Sequence, residues 1–310
     1  MTMTRPLATV GNVNVDLILG PVAPWPTPGT EVICAENDLR VGGAAGNAAL
    51  AWQAMDLPFQ CAANTGDDHF GDWLRQGLGA TALGWSKARS ATTLSVGITH
   101  PDAERTFYTT VGHLAQLDWP QVEAQLDWSA LSGGTLLLCG CFLTDRLTGH
   151  YDALFRRAQE ANVKVALDTG WPLHGWTLDI RRSVEGWITH SNIVLLNEIE
   201  AINLTQTQEA TAALSALSRR LPQDGIAVIK RGPHGAIAMQ NRATYSAAAP
   251  KVAVKDTIGA GDVFNAAFLA ALARGFDIKA ALNSAVRVAS TAISTHPRAY
   301  SETTPQEVPA

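Results

Sequence analysis

One segment near the C-terminus combines an acidic side chain with small residues at the start of an apolar helical pattern. In it Gly259, Ala260 and Gly261 precede Asp262, and apolar residues recur at helical spacing from Phe264 onward. Small residues let a ligand approach the backbone, and the amides at a helix start attract anions. Asp262 would accept the proton of a hydroxyl that attacks a phosphoryl group bound there. The alternative is that Asp262 only favours the helix start, and the segment alone supports both interpretations equally.

Two glycine-rich segments nearer the N-terminus offer groups that suit ligand hydroxyls. The segment 11–16 follows an apolar β pattern and ends in the carboxylate of Asp16, although an Asx-rich turn explains it better when it is taken alone. Gly42 and Gly43 precede a helical pattern that contains Asn47, an amide that both donates and accepts. Close packing of that helix against a sheet is the alternative to ligand contact.

Two further segments follow apolar β patterns in the second half of the chain. Asn197 and Glu200 have the spacing of an N-cap and its reciprocal acid, so a capping box explains them about as well as binding of Mg²⁺ through water does. Lys230, Gly232 and Gly235 would lie beside a nucleotide or form a simple hairpin turn, and the turn is slightly favoured for the segment alone. Neither segment identifies a ligand by itself.

Several common nucleotide and metal motifs are absent from the sequence. It contains neither Gly-x-x-x-x-Gly-Lys-Ser/Thr nor Gly-x-Gly-x-x-Gly after the first strand, and its eight histidines show no His-Glu-x-x-His pairing. A Walker-type NTPase, a dinucleotide-binding enzyme and a catalytic zinc enzyme are therefore disfavoured. Cys139 and Cys141 lie in an apolar run, so we expect buried small side chains there rather than a metal pair.

Composition narrows the class of protein further. The 310 residues carry a formal net charge of -5, with 46% hydrophobic and 16% charged residues. This balance indicates a globular protein with a substantial core, and it gives no general attraction to nucleic acid or anionic membranes. No segment approaches the roughly 18 apolar residues of a membrane helix. With four scattered cysteines and no secretory pattern at the start, we expect a reduced, cytoplasmic protein.

The elements that would position these groups alternate between strand and helix. Short apolar runs predict buried strands at 7–10, 135–139, 163–167, 193–196 and 227–229, and helical patterns occupy 44–55, 67–78, 147–161, 207–221, 262–274 and 278–294. This alternation predicts an α/β, doubly wound, mostly parallel sheet flanked by helices, with ligands at the C-terminal ends of its strands. The segments 31–41 and 92–110 break the alternation, and the second predicts a hairpin around the turn 101–104 outside the main sheet. The tail 297–310 is polar and is expected to be loose.

Taken together and in this order, these motifs resemble those of the ribokinase family, the PfkB-type carbohydrate kinases. The segment 256–262 matches the C-terminal signature of that family, and the segment 42–47 matches its N-terminal signature. The resemblance extends from Gly11 to about Ser290. It implies one ribokinase-like domain over residues 1–310, with a small β-sheet lid formed by about 29–41 and 92–112. It also implies ATP-dependent phosphorylation of a hydroxyl, a primary one, on a small sugar.

The resemblance assigns a role to each matching residue. The base would be Asp262, and the anion hole would be formed by the amides of Gly259, Ala260 and Gly261. The substrate would be held by Asp16, Gly42, Gly43, Asn47, His113 and Asp168, and the nucleotide by Asn197, Lys230, Gly232, Gly235 and Asn283. Glu200 would hold Mg²⁺ through water, and Asp256 matches a residue that binds K⁺ in many relatives. The lid would exclude water, and in many relatives lids pair to form a homodimer.

Departures from the family pattern bear on the substrate. Many members carry Asp-x-Asn-x-Arg where this chain has Asp168 without the Asn or the Arg, which disfavours a keto-deoxy sugar acid. His113 replaces part of a common Gly-Ala-Asn and is either a substrate contact or an exposed polar residue. Trp171 would stack on a ring or pack in the core. A nucleoside kinase of the same fold is the nearest alternative, and a non-catalytic sugar-binding regulatory protein is a more distant one.

Overall fold

The computed structural model describes residues 4–23, 25–100 and 105–303. Its strands are β1 (Leu7–Val10), β2 (Asn14–Gly20), β3 (Glu36–Gly42), β4 (Phe59–Ala62), β5 (Asn64–Gly66), β6 (Ser86–Ala88), β7 (Leu94–Thr99), β8 (Arg105–Thr109), β9 (Thr135–Cys139), β10 (Lys164–Asp168), β11 (Ile193–Asn197), β12 (Ile226–Lys230), β13 (Ala236–Gln240) and β14 (Ala243–Ala247). Its helices are α1 (Ala44–Ala54), α2 (His69–Leu78), α3 (Trp119–Gln125), α4 (Asp145–Thr148), α5 (Tyr151–Glu160), α6 (Leu178–Thr189), α7 (Glu198–Thr205), α8 (Ala210–Ser218), α9 (Ala260–Ala273) and α10 (Ile278–Ser294).

The central sheet carries the fold. Its eight strands follow the order β14-β13-β12-β11-β10-β9-β1-β4. The strands from β12 through β4 in that order are parallel, and β13 and β14 add an antiparallel hairpin at one edge. The doubly wound, mostly parallel sheet predicted from the sequence is confirmed.

Both faces of the inner parallel strands of the central sheet are buried, which explains the uninterrupted apolar runs in the sequence. Along β9, Leu137 and Cys139 pack into one hydrophobic cluster, whereas Leu136 and Leu138 pack into the other. The first cluster is completed by α1, α9 and α10, and the second by α5, α6 and α8. Cys141 is also buried, so the expectation of small buried cysteines is confirmed.

A second, smaller sheet lies outside the central one, in the order β3-β2-β7-β8. Strands β2 and β3 are antiparallel, β2 and β7 are parallel, and β7 and β8 form the arms of the predicted hairpin. The predicted turn 101–104 lies outside the described residues. The sheet also contains β2, where the sequence was interpreted as the end of a strand and a turn. The segment 11–16 therefore leads from the central sheet directly into the smaller one.

Several helices differ from the predicted ones. The predicted helix 147–161 is two helices, α4 and α5, because the chain turns at Gly149 and His150 between them. Helices α3, α6 and α7 were not predicted. The apolar stripe of α6 is thin, since Val184 and Ile188 are its buried residues, and α3 has only seven residues. Helix α2 begins after its N-cap Asp68, whose side chain accepts from the Gly71 amide at 2.9 Å, as the sequence suggested.

Parallel strands bring the polar groups that follow them to one edge of the central sheet. Asp168, Asn197 and Lys230 are the last residues of β10, β11 and β12, and Asn12 follows β1. All four line one cavity at that edge. Within the ranges that the structure describes, no helix is both long enough and apolar enough to cross a bilayer.

Candidate active site

A cavity of about 900 Å³ opens at the C-terminal edge of the parallel strands. This volume lies in the range of sites that hold small molecules and cofactors. Of the residues predicted to form a site, those lining the cavity are Asp168, Asn197, Glu200, Lys230, Gly232, Gly235, Ala260, Gly261 and Asp262. The fold therefore brings together four segments that lie far apart in the sequence.

Asp262 lies in the first turn of α9, at the wall of this cavity. Gly259 is the N-cap and has φ 76°, a left-handed conformation that glycine adopts without a Cβ penalty. The Asn47 side-chain amide donates to Asp262 Oδ2 at 2.8 Å. Burial and the charge of Asp168 raise the pKa of Asp262 to about 6, although Asn47 and Lys230 act to lower it. At neutral pH the carboxylate is therefore ionised, with a basicity above that of an exposed aspartate.

The predicted anion hole is the backbone that starts α9. Amides in the first turn of a helix lack intrahelical acceptors and point outward from its N-terminus. The Ala260 amide is partly engaged, because it donates to the Thr257 carbonyl at 3.2 Å. Gly261 packs against Lys230, whose ammonium would lie 3.4 Å from a Cβ at position 261. The helix start and the ammonium thus present positive charge to the same side of the cavity.

Lys230 is held in a buried polar cluster. Its ammonium donates to Asp168 Oδ2 at 2.7 Å and to Asn265 Oδ1 at 3.2 Å, and the Asn265 amide donates to the same Asp168 oxygen. Burial acts to lower the pKa of Lys230, but the carboxylates of Asp168, Glu200 and Asp262 outweigh it, so the pKa is raised and the lysine stays charged. Asn265 was not predicted from the sequence. Its spacing of three residues from Asp262 on one helix was the available signal.

Asn197 and Glu200 form a reciprocal capping box at the start of α7. The Glu200 amide donates to Asn197 Oδ1 at 2.8 Å, and the Asn197 amide donates to Glu200 Oε2 at 2.9 Å. Both residues also line the cavity, so the two interpretations of this motif do not exclude each other. Burial and Asp168 raise the pKa of Glu200, whereas Lys230 acts to lower it.

The residues present fit a magnesium ion only if a ligand supplies part of its coordination. Among the described residues, no group of three His, Cys, Asp or Glu side chains converges on one point. Mg²⁺ keeps several waters and is commonly held by one or two carboxylates together with substrate phosphates. Glu200 offers one such carboxylate at the cavity wall.

Four of the residues predicted to bind the substrate, Asp16, Gly42, Gly43 and Asn47, form a cluster beside the cavity. Asp16 is buried and accepts from the Asn14 side-chain amide at 2.7 Å. Burial raises the pKa of Asp16 to about 6, with Arg40 and Asn14 acting to lower it. A Cβ on Gly42 would overlap the Asp16 carboxylate, and one on Gly43 would meet the Asn12 carbonyl, so both positions require glycine. Asn47 joins this cluster to Asp262.

A family model described as pfkB family carbohydrate kinase matches residues 5–305. The chain belongs to the pfkB family of carbohydrate kinases. It is 24% identical to a ribokinase of Bacillus subtilis (strain 168) over 301 residues, which cover 93% of each chain. Its fold is similar to that of Arabidopsis thaliana ribokinase complexed with ribose and ATP, with a TM-score of 0.76 and 21% identity over 94% of each chain. It is also similar to a Methanocaldococcus jannaschii nucleoside kinase, with a TM-score of 0.71 and 18% identity over 94% of this chain and 93% of that one.

Two residues of this pfkB-family chain do not lie where their predicted ligand contacts require: His113, predicted to contact the substrate, and Asn283, predicted to contact adenine. The His113 ring is buried, and both of its nitrogens bind main chain: Nδ1 accepts from the Thr93 amide at 2.9 Å, and Nε2 lies 3.0 Å from the Val13 carbonyl. Burial lowers the pKa of His113 to about 4, so the ring is neutral and Nε2 is the donor. This geometry does not support a substrate contact or an exposed position for His113. Its signal in the sequence was only a departure from a family pattern.

The predicted adenine contact, Asn283, is exposed on α10. Among the described residues that line the cavity, α10 contributes others, namely Val286, Ala289, Ser290 and Ile293. Asn283 lies nearer the start of the helix than any of these. Its position in the pfkB-family site is therefore not supported, and an apolar wall takes its place.

The segment before the anion hole holds Asp256, which was predicted to bind K⁺. Asp256 Oδ2 accepts from Arg40 at 2.5 Å and from Arg298 at 2.7 Å. Asp256 Oδ1 accepts from the Ile258 amide at 2.8 Å. Protein donors therefore engage both carboxylate oxygens, and the residues present do not fit a further cation at this carboxylate.

Proposed function

We propose that this protein transfers the γ-phosphoryl group of ATP to a primary hydroxyl of a small sugar. The observation that carries the proposal is the position of Asp262. Its carboxylate lies at the wall of a large cavity, at the N-terminus of α9, within hydrogen-bonding distance of Asn47 and close to Lys230. A base, an anion-binding helix start and a buried cation at one point suit phosphoryl transfer.

The proposed reaction is one in-line displacement. The Asp262 carboxylate takes the proton of the acceptor hydroxyl as its oxygen forms a bond to the γ-phosphorus. The bond from that phosphorus to the bridging oxygen breaks, and ADP keeps the electron pair. The amides at 259–261 and the ammonium of Lys230 stabilise the charge on the transferring group. Asn47 positions the base, because its amide donates to Asp262 Oδ2.

The nucleotide would occupy the part of the cavity between the β12–β13 turn and α10. Gly232 and Gly235 line this part, and both have positive φ, at 52° and 78°. The side chains of α10 that line the cavity are largely apolar and suit the face of a base. Glu200 would hold Mg²⁺ through water, and the ion would offset phosphate charge when bound.

The smaller sheet would act as the lid. Two of its strands reach the segment that precedes the anion hole: Arg40 on β3 binds Asp256, and Arg105 on β8 donates to the Thr257 hydroxyl. A lid excludes water from the γ-phosphate and strengthens the electrostatics around it. Leu39, Phe107 and Tyr108 are exposed on these strands and suit pairing with a second copy, so a homodimer stays a prediction, as does a cytoplasmic location.

A nucleoside is the second candidate for the acceptor. Trp171 lines the cavity with 50% of its surface exposed, and its ring meets that of Trp176 edge to face. A half-exposed indole at a cavity wall offers a stacking surface for a base. The nucleoside kinase with the same fold shows that such acceptors occur on this scaffold.

The test is a screen for ATP consumption with Mg²⁺ over hexoses, pentoses, polyols and nucleosides. It is repeated with Asp262→Asn and with the matched control Asp152→Asn, which removes an exposed acid from the first turn of another helix, α5. We expect Asp262→Asn to lower kcat by about 10²- to 10⁴-fold without loss of affinity for ATP. The control should retain activity. No turnover of any acceptor, or equal turnover by the Asp262 variant, would refute the proposal.

A further inference from the structure

Two oxygen atoms converge on one nitrogen just before the anion hole. Arg298 Nη2 donates to Asp256 Oδ2 at 2.7 Å and to the Ile258 carbonyl at 2.8 Å. A carboxylate and a main-chain carbonyl are the ligand types that hard cations use. Here a guanidinium nitrogen already lies between them.

Arg298 is a fixed part of the structure. Its side chain is 14% exposed, and it follows α10 on a segment in which the Ala299 amide donates to Thr295 Oγ1 at 2.8 Å. The segment 255–256 is tied to the end of the same helix, because the Lys255 and Asp256 amides both donate to the Ile293 carbonyl. The guanidinium and its oxygen partners are thus held in register by one helix end.

The Ile258 carbonyl and the anion hole share one stretch of backbone. Gly259 follows Ile258 directly and is the N-cap of α9. Arg298 Nη1 would lie 3.2 Å from a Cβ at Gly259, so the guanidinium packs against this residue. Arg298 therefore positions the backbone from which the proposed hole is built and brings a permanent positive charge to it.

The charged groups around this guanidinium are already paired with one another, and Arg40 also pairs with Asp38 at 3.2 Å. Arg40 and Arg298 face the carboxylates of Asp256 and Asp16. Burial acts to raise the pKa of Asp256, but the Ile258 amide, Arg40 and Arg298 outweigh it and hold this pKa below its usual value. A potassium ion at Asp256 would have to displace Arg298 from both oxygens, and it would lie beside the positive charges of Arg40 and Arg298.

We propose that Arg298 replaces the monovalent cation expected at Asp256, so that this chain organises its anion hole without K⁺. The inference rests on the proposed function for its catalytic consequence. It makes Arg298 a positioning residue, which acts through the backbone of 258–259 without touching substrate. The ion dependence itself is a property of binding and is measurable without turnover.

The experiment compares KCl, NaCl and tetramethylammonium chloride at equal ionic strength. The melting temperature without substrate is one readout, and kcat/KM on an acceptor found by the screen is the other. Wild type, Arg298→Ala, Arg298→Met and the control Arg182→Met, which alters an arginine 69% exposed on α6, are measured in each salt. Alanine opens space for an ion, whereas methionine fills the space without charge.

Wild type and the control should respond equally to the three salts. Arg298→Ala should lose activity in tetramethylammonium and regain it in KCl by about 5-fold or more, the usual lower bound for coupling between two sites. Its melting temperature should rise in KCl alone. Arg298→Met should show neither response, which a merely structural role for Arg298 would not explain.

Stabilisation or activation of wild type by K⁺ would overturn the inference, as would an Arg298→Ala protein without a K⁺-specific response. If the variants fail to fold, the wild-type protein still tests whether the chain responds to K⁺. The melting arm remains informative if no acceptor is found, so failure of the proposed function and failure of this inference are distinguishable.

Discussion

Replacement of Lys230 by methionine should destabilise the protein in a way that depends on pH. The Lys230 ammonium lies 2.7 Å from Asp168 Oδ2, and the two side chains are 12% and 8% exposed. Coulomb's law at this distance with an effective dielectric of about 20 gives ~6 kcal/mol. Relief from desolvating the ammonium offsets part of this, and removal of one partner of a buried pair costs about 3–5 kcal/mol. We expect a loss in this range at pH 8.

The pH dependence follows from the carboxylates that Lys230 leaves behind. Without the ammonium, the pKa values of Glu200 and Asp262 rise further in the folded state, because Lys230 acts to lower both. A carboxyl group with a raised folded pKa favours folding below its unfolded pKa, near 4, and loses that contribution as pH rises through the folded pKa. The loss of stability should therefore shrink toward pH 5, by up to about 1.4 kcal/mol per pH unit for each proton taken up.

Urea denaturation at pH 5 and pH 8 measures both quantities. Lys164→Met is the matched control, because Lys164 is exposed at the other end of the strand that carries Asp168. Replacement of Asp168 by Asn together with Lys230→Met should recover part of the loss, since it removes the buried charge that was left unpaired. An equal loss at both pH values, or a loss under about 1 kcal/mol, would refute this account of the cluster.

Three other predictions test neighbouring parts of the site. The acid side of the pH profile of kcat/KM should have its midpoint near pH 6, the pKa of Asp262. Asn47→Ala should move this midpoint to higher pH, because the variant loses a donor that favours the carboxylate. An unmoved midpoint would contradict the role of Asn47. His113→Ala should lower the free energy of unfolding by about 1–3 kcal/mol through unpaired main-chain groups, and a raised KM without lost stability would restore it as a substrate contact. Chelation of Mg²⁺ should weaken ATP binding in calorimetry, and this weakening should be smaller in Glu200→Gln; equal weakening would argue against Glu200 as the metal-side residue.

The central strands could be predicted because burial on both faces leaves a continuous apolar run in the sequence. The strand β2 carries no such run, because polar and apolar residues alternate at its start, in 14–17. It belongs to the smaller sheet, where it pairs with β3 and β7. Helix α7 was hidden for a different reason. Its start, Asn197 to Glu200, was recognised as a motif that caps a helix or binds metal, and the structure shows that the cap and the cavity wall are the same residues.

The site could be predicted only as far as its parts are local in sequence. Asp262 and its helix start form one segment, and that segment was recognised. The partners that set its chemistry are distant: Asn47 is 215 residues away, and Lys230 joins Asp168 across 62 residues. Asp256 meets Arg298 across 42 residues and Arg40 across 216. No spacing rule connects such pairs, because register between separate elements decides them.

The balance of charge in the cavity bears on how the proposed site would bind a polyphosphate. Asp168, Glu200 and Asp262 surround a single ammonium, Lys230, so the cluster is net negative when every group is ionised. Such a cluster keeps Lys230 charged and makes Asp262 a better base, but it repels polyphosphate. Binding of ATP then requires positive charge from outside this cluster. The start of α9 supplies part of it, and Arg105 and Lys251 also line the cavity. Arg298 adds a fixed charge beside Gly259, and a magnesium ion arriving with the nucleotide would add more.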